Sequence, residues 1–501
     1  MREQGQKIPE KIKESVARCI ERIQLEGESI LMLPGQFAAV LNVCMQRSHG
    51  FSKDGALEDS NFVEWKIREA YEVCRISGEP MLKEIVLTEN SDILREVWRL
   101  VELVCIECRK QLDRVVFWTE DPSGLRLMTE YLLAEIQRAA GKEYFFTPPA
   151  VAELMVKLLR PGLDDAAWRR KKFWDPACGS GALLGQVMRF LKENRKADQV
   201  SLRGTDISGR MVEIAGVSLW IQAAAAEWES GWNAEVTENS PTVQNRQELP
   251  LLEVADALKV EDSFDYIVAN PPVVSQAAGE VRGHIVPTKV LHLQFLQHIM
   301  RSLKQKGRAA VLVNEGLLFG ERTAERAIRT ELVERHGLRA VISLPQGTFA
   351  PYTNAKASIL LFSGWGEEAS EVFFYEALAL GYTLNKSRLP QEENDIPDIL
   401  EKDAARKALY ANWCRAKERG TVYNAYGVPV PEEWRESRVC FADRGQLRER
   451  DYALLPGIWQ PKREESEQET ERPEELFKEL LFLEQQIQEY LERINDSIYG
   501  G

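Results

Sequence analysis

The chain has 501 residues, enough for two or three domains. Hydrophobic residues make up 44% and charged residues 28%, ordinary for a soluble globular protein, and no apolar run is long enough to span a membrane. The net charge of −14 gives no bulk support for nucleic-acid binding, so a DNA site would need local basic patches or a basic partner.

The charged N-terminus lacks the apolar core of a signal peptide, and a cytoplasmic location is expected. Residues 1–140 read as a helical N-terminal domain. Ile8, Ile12, Val16, Ile20 and Ile23 fall on one helical face, and Leu94, Val97, Leu100, Val104 and Cys108 on another. A loop from Gly50 to Asp59 separates helical stretches. Cys105 and Cys108 form a lone CxxC without a second pair at zinc spacing. On a helix they are simply neighbours, so two reduced thiols are expected rather than a metal site.

Residues 141–365 alternate strand-like and helix-like segments, which predicts an α/β domain with a Rossmann-like parallel sheet. The expected strands are Phe173–Asp175, Val200–Asp206, Phe264–Asn270, Ala309–Asn314, Ala340–Pro345 and Ser358–Ser363, with helices between them such as Ala182–Lys192 and Gln294–Lys304. Ligands of such sheets bind at the carboxyl ends of the strands. Residues 366–460 form a mixed C-terminal extension. Residues 461–501 read as a charged linker followed by a coiled-coil helix. Leu476, Leu480, Leu483, Ile487, Tyr490, Ile494 and Ile498 recur there at spacings of four and three. So short a helix is marginal alone and is expected to pack on a partner or on the body.

The chemistry concentrates at the ends of the predicted strands. Asp175-Pro176-Ala177-Cys178-Gly179-Ser180-Gly181 is a glycine-rich turn that lets backbone amides approach a ligand at a helix N-terminus. Its spacing is neither GxGxxG nor a P-loop. Asp206 ends the next strand and can be read equally as an acceptor for ribose hydroxyls or as a helix N-cap.

Asn270-Pro271-Pro272 is more specific. Two prolines fix the backbone and remove donors, leaving carbonyls facing outward. The Asn270 side-chain oxygen and the Pro271 carbonyl can together accept both hydrogens of one NH2 group. An aromatic amine held that way is pushed toward sp3, which frees its lone pair. Asn cannot act as a base, so catalysis would rest on positioning and electrostatics.

Gly141 to Ser363 resembles the N6-adenine DNA methyltransferases, and most closely the modification subunit of type I restriction–modification systems. Phe145-Phe146-Thr147-Pro148-Pro149 with the helix Val151–Leu159 resembles the family's cofactor segment, and DPACGSGALL its cofactor loop. Gly204-Thr205-Asp206 resembles its ribose-binding strand end, and Ala255-Asp256-Ala257-Leu258 the segment whose Asp meets the cofactor's adenine. NPP resembles its catalytic motif; LRAVISLPQGTFAPYTNAKASILLF (338–362) and GYTLNKSRLPQEENDIPDIL (381–400) also resemble the subunit. The resemblance implies a class I fold dependent on S-adenosylmethionine, with that cofactor at Phe146, Thr147, Pro148, Asp175, Ala177, Gly179, Ser180, Gly181, Asp206 and Asp256. It implies catalysis at Asn270, Pro271, Pro272 and Val273, with no metal. The implied partners are duplex DNA, a specificity subunit, a restriction or translocase subunit and a second copy of the chain.

Two positions depart from the family pattern. Val273 stands where an aromatic residue normally stacks on the flipped base, and Asn314 where proline is expected. The loop Val274 to Val290 suits substrate contact or ordinary exposure, and Arg169-Arg170-Lys171-Lys172 reads as a solvated face or a DNA contact. Two rival functions remain open. One is an amino-methyltransferase acting on RNA or protein glutamine; the other is a binding subunit that methylates poorly.

Overall fold

The computed structural model describes residues 10–37, 40, 88–113, 131–132, 135, 147–161, 170–196, 200–231, 249–272, 283–350, 353–366, 370–384, 390–424, 426–434 and 437–460. Near the N-terminus, helices α1 (Glu10–Leu25) and α2 (Ser91–Asp113) pack together. Ile12, Val16, Cys19 and Ile23 of α1 are buried, as are Leu94, Val97, Leu100 and Val104 of α2. Cys19, rather than the expected Ile20, occupies the centre of the α1 face. The polar flanks are joined by Arg18–Glu96 at 3.5 Å and Arg22–Asp92 at 2.9 Å. Cys105 and Cys108 lie within α2; the Gly50 to Asp59 loop and the C-terminal seam fall outside the described residues.

Helix α3 (Pro149–Leu159) opens the α/β region. The sheet follows, from β1 (Lys171–Asp175), β2 (Val200–Asp206), β3 (Leu251–Val254), β4 (Phe264–Ala269), β5 (Leu303–Asn314), β6 (Ala340–Ser343), β7 (Ala357–Ser363) and β8 (Glu371–Glu376). Two small pairs intervene, β9 (Leu380–Tyr382) with β10 (Pro390–Asn394) and β11 (Thr421–Tyr423) with β12 (Pro429–Pro431), before β13 (Val439–Asp443). Nine strands form one sheet in the order β13-β8-β6-β7-β5-β4-β1-β2-β3. Pairing from β3 through β5 is parallel, and β7 runs antiparallel between β5 and β6.

The crossover helices are α4 (Ala182–Glu193), α5 (Gly209–Gly231), α6 (Leu291–Ser302), the short α7 (Gly316–Phe319) and α8 (Thr323–Arg335). Helices α9 (Ile396–Ala404) and α10 (Arg406–Arg419) lie in the C-terminal extension. The central strands are apolar without alternation because both faces are covered; all six residues of β4 are buried. Trp174 stacks on Phe264 at 4.6 Å between centroids and donates to Thr205 Oγ1 at 3.0 Å, tying β1 to both neighbours.

Residue 365, where a domain boundary is expected, falls inside this sheet, between β7 and β8. Strands β8 and β13 extend the sheet from the segment read as a mixed extension. Helix α6 also ends at Ser302, so the expected helical residue Lys304 stands in β5 instead.

The chain runs from β1 outward to β3, then returns to place β4 on the other side of β1. The strand order therefore reverses between β1 and β4. A crevice opens at the carboxyl ends of two strands that diverge in this way, and open α/β sheets bind their ligands there.

Candidate active site

The carboxyl end of β1 carries the glycine turn. Gly179 (φ +51°) and Gly181 (φ +79°) adopt backbone angles that other residues rarely take. Gly181 also has no room for a side chain: a Cβ there would stand 3.2 Å from Ala215 Cβ on α5. The turn thus packs directly against α5 and presents the start of α4.

Asp175 ends β1, completely buried. Its Oδ1 accepts the Ala177 N–H at 3.2 Å, while its Oδ2 is buried without a partner. Burial pushes this carboxyl up to about 8, and the neighbouring Asp206 adds to the rise. Linkage then fixes the sign. The folded state retains a proton between the ordinary carboxylate value and about 8, so this contribution to stability is full at low pH and lost as pH rises through 8. Asp175→Asn cannot ionise. Its stability relative to wild type should therefore rise from pH 6 to pH 9 in denaturant unfolding; a difference that stays flat with pH would show that Asp175 is already charged.

Asp206 faces the same turn from the end of β2. Its Oδ2 accepts the Gly179 N–H at 3.0 Å and its Oδ1 the Ser208 N–H at 2.9 Å. One carboxylate therefore pins the glycine turn and starts the turn into α5. Its backbone carbonyl accepts the Ala255 N–H at 2.9 Å, which brings the Asp256 segment alongside. Asp256 caps the next turn by accepting the Leu258 N–H at 3.1 Å. Ser180 is buried and Ala177 half-buried within the turn. Ile207, which the sequence reading passed over, is 78% exposed directly after Asp206. An apolar residue after a strand-end acid was the available signal.

Across the switch point, Asn270 leaves the end of β4. Its Nδ2 donates to Thr147 Oγ1 at 3.1 Å. Thr147 is buried, and Pro148 N-caps α3. Thr147, expected at the cofactor, places its hydroxyl against the catalytic candidate Asn270. Among the described residues, no donor is bonded to Asn270 Oδ1 or to the Pro271 carbonyl. Pro271 is buried and Pro272 half-buried. Phe146 and Val273 fall outside the described residues, as does the loop up to residue 282. Farther along, Gln297 Oε1 accepts from Ile285 and Val286 N–H groups, both at 3.0 Å, anchoring the return into α6.

Lys171 and Lys172 of the basic run do not reach this site. Lys172 binds Asp262 at 2.9 Å, and Lys171 pairs with Asp265 at 3.6 Å, both at the amino ends of the strands. Asn314, the second departure, caps α7 by accepting the Leu317 N–H at 3.2 Å, a job proline could not do. Among the described residues, no three His, Cys, Asp or Glu side chains gather to hold a metal, and no helix is long and apolar enough to cross a membrane.

A doubly wound sheet with this switch point and glycine turn defines a Rossmann-like α/β fold, shared with a methyltransferase subunit of known structure. The chain matches the N-6 DNA Methylase family over residues 125–437, well over half its length, and belongs to that family. It is 28% identical over 257 residues to the type I restriction enzyme EcoEI methylase subunit of Escherichia coli, covering 49% of this chain and 47% of that one. It is 26% identical over 310 residues to the MpnII methylase subunit of Mycoplasma pneumoniae, covering 58% and 53%. The chain thus spans about half the length of the curated relatives it matches. Among solved structures, the methyltransferase subunit of a type I restriction–modification system from Streptococcus thermophilus superposes with a TM-score of 0.58 at 16% identity. That match covers 90% of this chain and 99% of the other. A chain from a type I R-M system gives 0.55 at 19% identity, covering 99% of each. At these identities the structural likeness establishes the fold.

Proposed function

We propose that this chain methylates the N6 amine of an adenine flipped out of duplex DNA, using S-adenosylmethionine, as the modification subunit of a type I-like restriction–modification complex in the cytoplasm. The observation that carries the reading is the Asn270–Thr147 hydrogen bond at the switch point, opposite the glycine turn. An asparagine amide has two chemically different ends. With Nδ2 committed to Thr147, Oδ1 is turned outward, and the Pro271 carbonyl supplies the second acceptor for one NH2 group. A target amine is out of reach inside the stacked duplex, so the base must leave it.

The residues around the glycine turn fit the cofactor. Asp175 Oδ2 is buried without a partner, and an ammonium group brought beside it would draw the proton off and make it the acceptor. Asp206 has lone pairs left for ribose hydroxyls, and exposed Ile207 offers an apolar face to a purine. When bound, S-adenosylmethionine supplies an activated methyl group. Asp256 and the turn residues Ala177, Gly179, Ser180 and Gly181 complete the proposed cofactor set, with Phe146, Thr147 and Pro148 beside it. Asn270, Pro271, Pro272 and Val273 form the proposed catalytic set.

Sequence choice is assigned to a separate specificity subunit, engaged in part by residues 473–501, within a complex holding a second copy of this chain and a restriction subunit. The test is methyl transfer by the complex reconstituted with its specificity subunit, offered duplex DNA, RNA and protein. N6-methyladenine in DNA alone supports the reading. Methylation of RNA or protein glutamine, or none, overturns it.

Thr147→Val deletes the acceptor that orients the amide. A hydrogen bond of this kind is worth about 0.5–1.5 kcal/mol. The variant should therefore lose up to about tenfold in kcat with unchanged cofactor affinity by calorimetry, and Thr147→Ser should restore the rate. A loss of cofactor affinity with kcat intact would return Thr147 to the cofactor site.

A further inference from the structure

A pocket of about 620 Å3 opens at the carboxyl end of β5, between the start of α6 and α7. Val290, His292, Asn314, Phe319, Arg322 and Glu325 line it. Strand β5 is the parallel neighbour of β4, with Ala269 beside Val311. Continuing that register puts Asn314 level with Pro272. Strands lie about 4.8 Å apart and rise about 3.3 Å per residue, so the pocket wall begins within about 10 Å of Asn270. The cofactor turn lies on the opposite side of β4, toward β1 and β2.

Phe319 stands out within α7. Leu317 and Leu318 are fully buried, whereas the Phe319 ring is 51% exposed against the pocket. Its support is rigid. The buried Arg329 guanidinium donates to the Leu317 and Gly320 carbonyls, each at 2.8 Å, clamping the turn from beneath. On the facing wall, Asn314 Nδ2 lies 3.4 Å from His292 Nε2, and burial holds that imidazole below its ordinary value. Glu321 and Glu325 also line the pocket, with Arg322 between them. Two carboxylates beside one cation disfavour a phosphate.

An exposed ring on a rigid turn, in a pocket whose wall begins within about 10 Å of Asn270, suits a planar base. The catalytic segment itself continues into aliphatic Val273, which brings no ring of its own. We propose that Phe319 is the stacking face for the flipped target base, taking the part that an aromatic at position 273 would otherwise play. The proposal rests on the reading of the chain as a DNA adenine methyltransferase.

The test uses the full chain in its reconstituted complex. The recognition sequence is first read from the DNA that the complex methylates. Binding is then measured to duplexes bearing that sequence, with either adenine or an abasic site at the target position. Base–aromatic stacking is worth enough to shift affinity about tenfold to a hundredfold. Phe319→Ala should weaken binding to the adenine duplex by that factor and leave the abasic duplex unaffected, while Phe319→Trp should keep wild-type affinity. Equal losses on both duplexes, or no loss on either, overturn the stacking role while leaving methylation by wild type intact. A wild-type complex that methylates no adenine overturns the functional reading, and the pocket assignment with it.

Discussion

Asn270→Ala should lower methyl transfer to duplex DNA by about 100- to 1000-fold in the assembled complex, the usual cost of deleting one group that stabilises charge in a transition state. Cofactor affinity should not change. The variant removes Oδ1, one of two acceptors for the amine, and leaves the cofactor turn intact, because no atom of Asn270 bonds to Asp175, Gly179 or Asp206. The Pro271 carbonyl remains and can hold one amine hydrogen, so some turnover should persist. Single-turnover transfer of labelled methyl, paired with calorimetry, separates the two quantities. Equal rates for wild type and Asn270→Ala would remove Asn270 from catalysis. Equal losses of rate and cofactor affinity would make it part of the cofactor site instead.

The elements that were legible in the sequence are those with both faces buried. Strand β4 is buried along its whole length and ends at Ala269, one residue short of the expected Asn270, and β2 ends in its acid as expected. Strand β3 was missed because it is an edge strand, with Leu251 and Val254 more than half exposed, and carries no buried alternation. Near its start β5 carries Lys304, Gln305 and Lys306, which look like the polar end of a helix. Strands β8 and β13 join the sheet from beyond a stretch that looked like a boundary.

At the site, Asp175, Gly179, Gly181 and Asp206 announce themselves by residue type and spacing. The Thr147–Asn270 bond does not, since 123 residues separate the partners. Nor does the sequence say that Lys171 and Lys172 are neutralised by Asp262 and Asp265, some ninety residues away. Local patterns report local backbone, whereas pairings across the sheet depend on strand order, which periodicity does not encode.

The largest stability effect is expected at Asp403, on α9. Its carboxylate is buried and faces three guanidinium groups from three separate segments. Arg339 donates to it at 3.3 Å from the approach to β6, and Arg406 at 3.3 Å from the start of α10. Arg160, the left-handed residue closing α3, lies 3.9 Å away. Arg339 also donates to the Leu158 carbonyl at 3.0 Å, and burial brings it down to about 10 against the pull of Asp403. One carboxylate therefore joins the end of α3, whose other end carries Thr147, to the sheet and the C-terminal helices. Removing it leaves half-buried cations without their counter-charge. Breaking a buried pair from one side typically costs about 3–5 kcal/mol. Asp403→Ala should be destabilised by that amount in denaturant unfolding, with little relief at high salt, since buried charges are poorly screened. Adding Arg339→Met to Asp403→Ala should recover part of the loss, because the stranded cation that burial disfavours is gone. A single variant within about 1 kcal/mol of wild type would place this cluster among ordinary surface pairs. If the double variant were weaker than the single one, packing around the arginine stem, rather than its charge, would be what the cluster supplies.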